Sequence, residues 1–136
     1  KKIAGPISKI SAKKTMEMNI EQNLLTSDIK ILRKHIADKN KINKISWRSA
    51  AEIERSLKWT FENAPNLLCP TLILQAGNDK LVDKGTNKKF FERIKSADKT
   101  YREYDGLLHE LWQEKGRAQV FQDMFIWLEK HIKSQK

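Results

Sequence analysis

The tightest constraint on this chain is a strand, helix and strand between Pro70 and His109, with an acid at the end of the first strand and an imidazole past the second. Thr71-Leu72-Ile73-Leu74-Gln75-Ala76 is a short apolar run, led in by Pro70 and closed by Gly77-Asn78-Asp79. Such a run suits a strand buried on both faces of a parallel sheet, and Gly-Asn-Asp is a turn by composition. Thr86 to Ala97 has amphipathic helical spacing. Lys99 to Asp105 reads as a second strand, more polar and so nearer a sheet edge. Strands joined by a crossover helix run parallel, so both C-terminal ends fall on one edge, about 4.8 Å apart. Asp79 and His109 are therefore expected to meet there, as an orienting acid and a general base.

Two other aspartates compete for the acid role. Asp83, four residues beyond Asp79, suits the start of the next helix. Asp105 sits on the same arm as His109 and suits a turn, the ordinary role also of an aspartate after Gly-Asn. A lone histidine is more often structural than catalytic. His109 stands apart because its loop follows a strand, where parallel sheets bind their ligands. His35 and His131 read as surface residues, Glu110 as solvent-facing, and Cys69 as a small buried hydrophobe at the strand entrance. The chain has no metal-ligand cluster, no phosphate-cradling glycine loop and no paired-cysteine motif. No cofactor or metal is expected.

The flanking segments are helical by pattern. Ile3, Ile7 and Ile10 keep helical spacing, but residues 1–24 hold no single register, so short helices and loops fit best. Leu25, Ile29, Leu32 and Ile36 form a stripe with Ser27 or Asp28 as N-cap, and a break follows at Asp38-Lys39-Asn40-Lys41. The next helix is expected from about Ser46 to Asn63, with capping-box spacing at Ser49 and Glu52. Ala50, Ile53, Leu57, Phe61 and Ala64 line one face, and Trp59 falls opposite, with core packing as its ordinary meaning. A last helix begins near Gly116 or Arg117 and presents Ala118, Phe121, Phe125, Leu128 and Ile132 on one face.

Composition narrows the setting. The single cysteine cannot form an internal disulfide, and with no signal peptide in view a reducing, cytoplasmic setting is expected. No apolar run approaches the ~20 residues needed to span a bilayer. The net charge of +10 is uneven, with 14 Lys+Arg against 7 Asp+Glu in residues 1–64 and 13 against 10 in residues 65–136. Its ordinary meaning is a solvated basic surface; the sharper reading is that the basic front section approaches anionic membrane surfaces peripherally, or acidic substrates. Nucleic acid is not an expected partner, because the lysines are scattered and no recognition signature accompanies them.

Cys69 through Asp83 resembles the triad-acid strand and loop of α/β-hydrolases. Within that superfamily it is most similar to the monoacylglycerol lipase and lysophospholipase branch, called serine aminopeptidase-like. Asp98-Lys99-Thr100 and Tyr104-Asp105-Gly106-Leu107-Leu108-His109-Glu110-Leu111 resemble its last strand and histidine loop, and Phe125-Ile126-Trp127-Leu128 its final helix. Upstream, Leu25-Thr26-Ser27-Asp28 and Ala37-Asp38-Lys39-Asn40 look like the helical cap, departing at Lys39 where the family usually has proline.

The resemblance implies an α/β chain in which residues 1–64 are a helical cap with a helix returning to the core, and residues 65–136 are the C-terminal part of the core. It implies a serine hydrolase of lipid-like carboxylic esters, lysophospholipids or monoacylglycerols, with Asp79 as triad acid and His109 as base. The G-x-S-x-G nucleophile turn of this superfamily is not found here, as none of the five glycines brackets a serine that way. The chain also opens Lys1-Lys2-Ile3. It is therefore expected to be the C-terminal portion of a longer enzyme, partnered by the N-terminal half of the same fold and inactive alone. The alternatives are a non-catalytic fragment or degenerate hydrolase serving binding or assembly, and a relative acting on peptides, epoxides or halides.

Overall fold

The computed structural model describes residues 14–133, so the spacing of Ile3, Ile7 and Ile10 lies outside the described residues. In chain order the elements are β1 (Thr15–Glu17), a 3₁₀ turn at Gln22–Leu24, α1 (Ile29–Ala37), β2 (Lys44–Ser46) and α2 (Trp47–Asn63). A 3₁₀ turn at Ala64–Asn66 leads to β3 (Thr71–Ala76), α3 (Lys84–Arg93), β4 (Lys99–Tyr104), a 3₁₀ turn at Leu111–Gln113 and α4 (Arg117–Lys133). They fall into two compact units. Of the described residues, one unit combines Glu21–Ala37 with those from Ala64 onward, and the other combines Asp38–Asn63 with those up to Ile20.

In the first unit, β3 and β4 are parallel neighbours, paired from Thr71↔Lys99 to Ala76↔Tyr104. The crossover helix α3 starts two residues earlier than its spacing predicts, because Asp83 caps it. The Asp83 carboxylate accepts from the backbone N–H of Gly85 at 3.3 Å and of Thr86 at 2.8 Å. The helix ends before Ile94, whose extended backbone turns its side chain into the core at 2% exposure. Lys99, a polar residue opening β4, donates to the carbonyls of Phe91 at 2.9 Å and Ile94 at 2.6 Å. A cation on the last turn of a helix satisfies orphan carbonyls and complements the dipole.

The core joins Ala76, Leu111 and Val120, with Leu74, Tyr104 and Leu107 packed against them. Val120 is fully buried, and with Asp123, Met124, Trp127 and His131 it marks the inward face of α4. The expected stripe of Phe125, Leu128 and Ile132 is exposed instead. The inward face carries an aspartate and a histidine, so counting apolar residues selects the wrong side. Asp123 accepts from Tyr104 Oη at 2.9 Å and Gln119 Nε2 at 3.0 Å, and pairs with Arg102 at 2.8 Å. Burial and the bond to Asp123 push the Tyr104 phenol up to about 12. His131 is half-buried rather than a surface residue: it lies against Trp127 and bonds Asp98. Cys69 is exposed, not buried as expected. An open apolar groove of about 570 Å³, with Leu72, Leu74, Trp112 and Trp127 among its lining residues, runs between β3 and α4.

In the second unit, β1 pairs antiparallel with β2, Thr15 opposite Ser46 and Glu17 opposite Lys44. This three-residue strand replaces part of the loops and short helices expected before residue 24. Ser46 sets the start of α2 as its Oγ accepts from Ser49 N at 3.0 Å, so Ser49 lies inside the helix rather than at its cap. Along α2 Ala51 is buried, whereas Ile53, Leu57 and Trp59 are exposed, Trp59 at 65%. The core packing expected for Trp59 is not formed among the described residues.

Candidate functional site

The site stands where β3 and β4 end together. Past the last ladder pair, Gly77 N donates to Tyr104 O at 2.9 Å and Asn78 N to Leu107 O at 3.0 Å, so the two loops stay joined beyond the strands. This approach requires glycine at 77, where a Cβ would sit 2.7 Å from Tyr104 O and 2.9 Å from Asp105 Cα. The β4 chain then turns back through Gly106 at a φ of 77°, a left-handed conformation that costs a glycine nothing. Both features carry Asp79 and His109 to the same edge.

His109 Nδ1 lies 2.9 Å from Asp79 Oδ2. The other carboxylate oxygen of Asp79 accepts from the backbone N–H of Leu81 at 2.8 Å and of Val82 at 3.0 Å. Burial opposes ionisation of Asp79, but the bonds from His109, Val82 and Leu81 outweigh it and hold the carboxyl below the usual carboxylate range. An ionised carboxylate only accepts, so Nδ1 carries a proton, and in the neutral ring Nε2 then keeps its lone pair. The Asp79 side chain is 6% exposed and that of His109 36%, a sunk acid beneath a reachable ring. This arrangement can orient an imidazole, take a proton at Nε2 and stabilise the resulting imidazolium.

The rival acids are elsewhere. Asp83 is committed to the cap of α3, where bonds from Thr86 and Gly85 lower its pKa, and Asp105 stays exposed on the turn. Two neighbours escaped the sequence reading. Glu110 is not simply solvent-facing, since its Oε2 lies 3.1 Å from Nε2 of His35. Glu114, with no exposed surface, is bonded to Ser27. No local pattern marks either residue, because their partners are 75 and 87 positions away in a helix and its leading loop. Among the described residues, no group of three or more His, Cys, Asp or Glu is arranged to hold a metal ion.

The sequence profile of the family described as serine aminopeptidase, S33, matches residues 1–116. The chain belongs to this family of α/β hydrolases. It is 35% identical over 92 residues to phospholipase YtpA of Bacillus subtilis, covering 67% of this chain and 36% of that protein. In fold it superposes on the monoacylglycerol lipase of Paleococcus ferrophilus with a TM-score of 0.87 and 21% identity, over 94% of this chain and 50% of that one. A soluble variant of Saccharomyces cerevisiae monoglyceride lipase, in complex with a substrate analog, gives a TM-score of 0.83 at 24% identity, over 94% and 47%. The chain thus spans half or less of the length of these relatives. Its parallel strands and flanking helices are one part of the α/β-hydrolase fold, and its branch is that of lipases and phospholipases.

Proposed function

We propose that this chain is the acid–base portion of a serine hydrolase that cleaves carboxylic esters of lipid-like substrates, a lysophospholipid or a monoacylglycerol. The observation that carries the reading is the 2.9 Å bond from His109 Nδ1 to the buried Asp79. In this mechanism Nε2 of His109 removes the proton of a serine hydroxyl as it attacks the ester carbonyl. The imidazolium, stabilised by Asp79, then passes that proton to the departing alcohol. Water repeats the cycle on the acyl-enzyme and frees the fatty acid.

The serine and the oxyanion donors belong to the N-terminal half of the same fold in this reading. The names of the relatives and the fraction of their length matched here support it. The open groove beside β3 and the outer edge of that strand are where such a half would continue the sheet. The 136-residue chain alone is then catalytically silent, because a base without nucleophile and oxyanion donors lacks the main acyl-transfer machinery. The excess of Lys and Arg in residues 1–64 fits a cytoplasmic enzyme that touches anionic membrane surfaces.

The test is labelling of the full-length protein with a serine-directed fluorophosphonate, together with turnover of lysophosphatidylcholine and monooleoylglycerol. Labelling and saturable release of fatty acid are expected. Turnover of these esters by the 136-residue chain alone, blocked by the same reagent, would contradict the division of labour.

A further inference from the structure

The loop that follows His109 is fastened, residue by residue, to the segment leading into α1. Leu25 O accepts from Glu110 N at 2.8 Å. Thr26 Oγ1 donates to Gln113 O at 2.9 Å, and Asp28 pairs with Arg117 at 3.0 Å. Between them stands Glu114, whose carboxylate accepts from Ser27 N and from Ser27 Oγ, each at 2.6 Å. Both strands of this clasp keep chain order, 25 to 28 against 110, 113, 114 and 117. Farther along α1, His35 Nε2 lies 3.1 Å from Glu110 Oε2 and 3.3 Å from Gln113 Oε1. The segment leading into α1 and the helix itself therefore hold the histidine loop at two places.

Glu114 is the costly member. A fully buried carboxylate must find donors for both oxygens, and it finds them on Ser27, with Lys115 N as a further donor at 3.2 Å. A loop that needed only to be compact could carry an apolar side chain here. A buried acceptor with short directed bonds instead fixes where the loop sits, and His109 is five residues away on it.

We infer that Glu114 is a positioning residue for the base: by binding Ser27 at the head of α1 it sets the place of the loop that holds His109. This rests on the proposed role of His109. The clasp secures that loop from one side while Asp79 secures the ring from the other. Misplacing a reacting group by about 1 Å costs on the order of 100-fold in rate, so the clasp acts on kcat rather than on substrate affinity.

The experiment measures kcat and KM for p-nitrophenyl butyrate in the full-length hydrolase of the proposed reading, with Ser27→Ala, Glu114→Gln, Glu114→Ala and His109→Ala. Circular dichroism melts correct each rate for the folded fraction. Glu114→Ala is expected to lower kcat about 100-fold and Glu114→Gln about 10-fold, the glutamine keeping an acceptor for Ser27 N, with KM little changed. Ser27→Ala removes one hydroxyl from an exposed residue, so it tests the clasp even where Glu114→Ala fails to fold. It is expected to lower kcat and to shift the His109 ring resonances in nitrogen NMR spectra. Ser27→Ala and Glu114→Gln both within about two-fold of wild type in kcat, with lowered melting temperature only, would overturn the inference and leave the role of His109 standing. Full turnover by His109→Ala would overturn both.

Discussion

The first unit contains two histidine–aspartate pairs, and they sit at opposite ends of the sheet. At the C-terminal edge, His109 gives one nitrogen to Asp79 at 2.9 Å, and Nε2 is the atom proposed to take the serine proton. At the other edge, Asp98 precedes β4, and His131 on α4 spends both nitrogens, Nδ1 on Trp127 O at 2.6 Å and Nε2 on Asp98 at 2.7 Å. Both of those partners are acceptors, so the two bonds are made together only by the imidazolium form, and the ring stacks on Trp127 with centroids 3.8 Å apart. The same two residue types thus make the proposed base in one place and a fastening in the other. What separates them is whether the second ring nitrogen is left available.

The largest effect that could break this contrast is at His109. Replacement by alanine is expected to remove nearly all ester hydrolysis by the full-length protein, whereas His131→Ala should keep most of it, as read by kcat/KM on monooleoylglycerol. Next comes Asp79→Asn, which preserves shape but loses control of the tautomer. In a serine protease triad that change lowers turnover ~10⁴-fold, and the same direction is expected here, with circular dichroism confirming the fold. Asp83→Asn and Asp105→Asn serve as controls, and loss of activity in either with Asp79→Asn active would reassign the acid.

A smaller effect concerns stability and pH. The bonds to Trp127 and Asp98 raise the pKa of His131 above its ordinary 6.5. A raised folded-state pKa contributes stability that is fully present below 6.5 and is lost as pH rises through the folded value. The melting temperature of His131→Gln should therefore fall below that of wild type most clearly at pH 5.5, with the gap narrowing toward pH 8.5. A gap that widened with pH would contradict the charged pairing. The smallest expected effect is Tyr104→Phe, which leaves Asp123 with Arg102 and Gln119 and costs about 1 kcal/mol in a denaturant melt.

Regions of the chain also differ in how far the sequence could be read. From Thr71 to Tyr104 the strands fall where the apolar run and the later β pattern predict, and Asp83 caps the helix as its position implies. Local rules suffice there, because a buried strand, a cap and a glycine turn each follow from neighbours in the chain. The meeting of Asp79 and His109 follows from one topological rule, since a crossover helix makes the strands parallel. Elsewhere the deciding partner is distant. Glu110 and Glu114 look like loop residues until Leu25 to His35 are brought beside them. The inward face of α4 does not follow from its apolar pattern because Asp123 and the half-buried His131 are turned in by bonds to β4 and its leading loop. Trp59 and Cys69 carry apolar character with nothing local to say that they are exposed.

The protonation of the two rings separates His109 from His131 most directly, and one spectrum reads both. Nitrogen–proton correlations through the imidazole rings, recorded on the full-length protein at a pH where His109 is neutral, separate the two tautomers from the cation. His109 is predicted to carry its proton on Nδ1 with Nε2 bare, and the Asp79→Asn variant to lose that preference. A wild-type His109 protonated on Nε2 alone would show that Asp79 does not orient it as a base, and the central claim would fail.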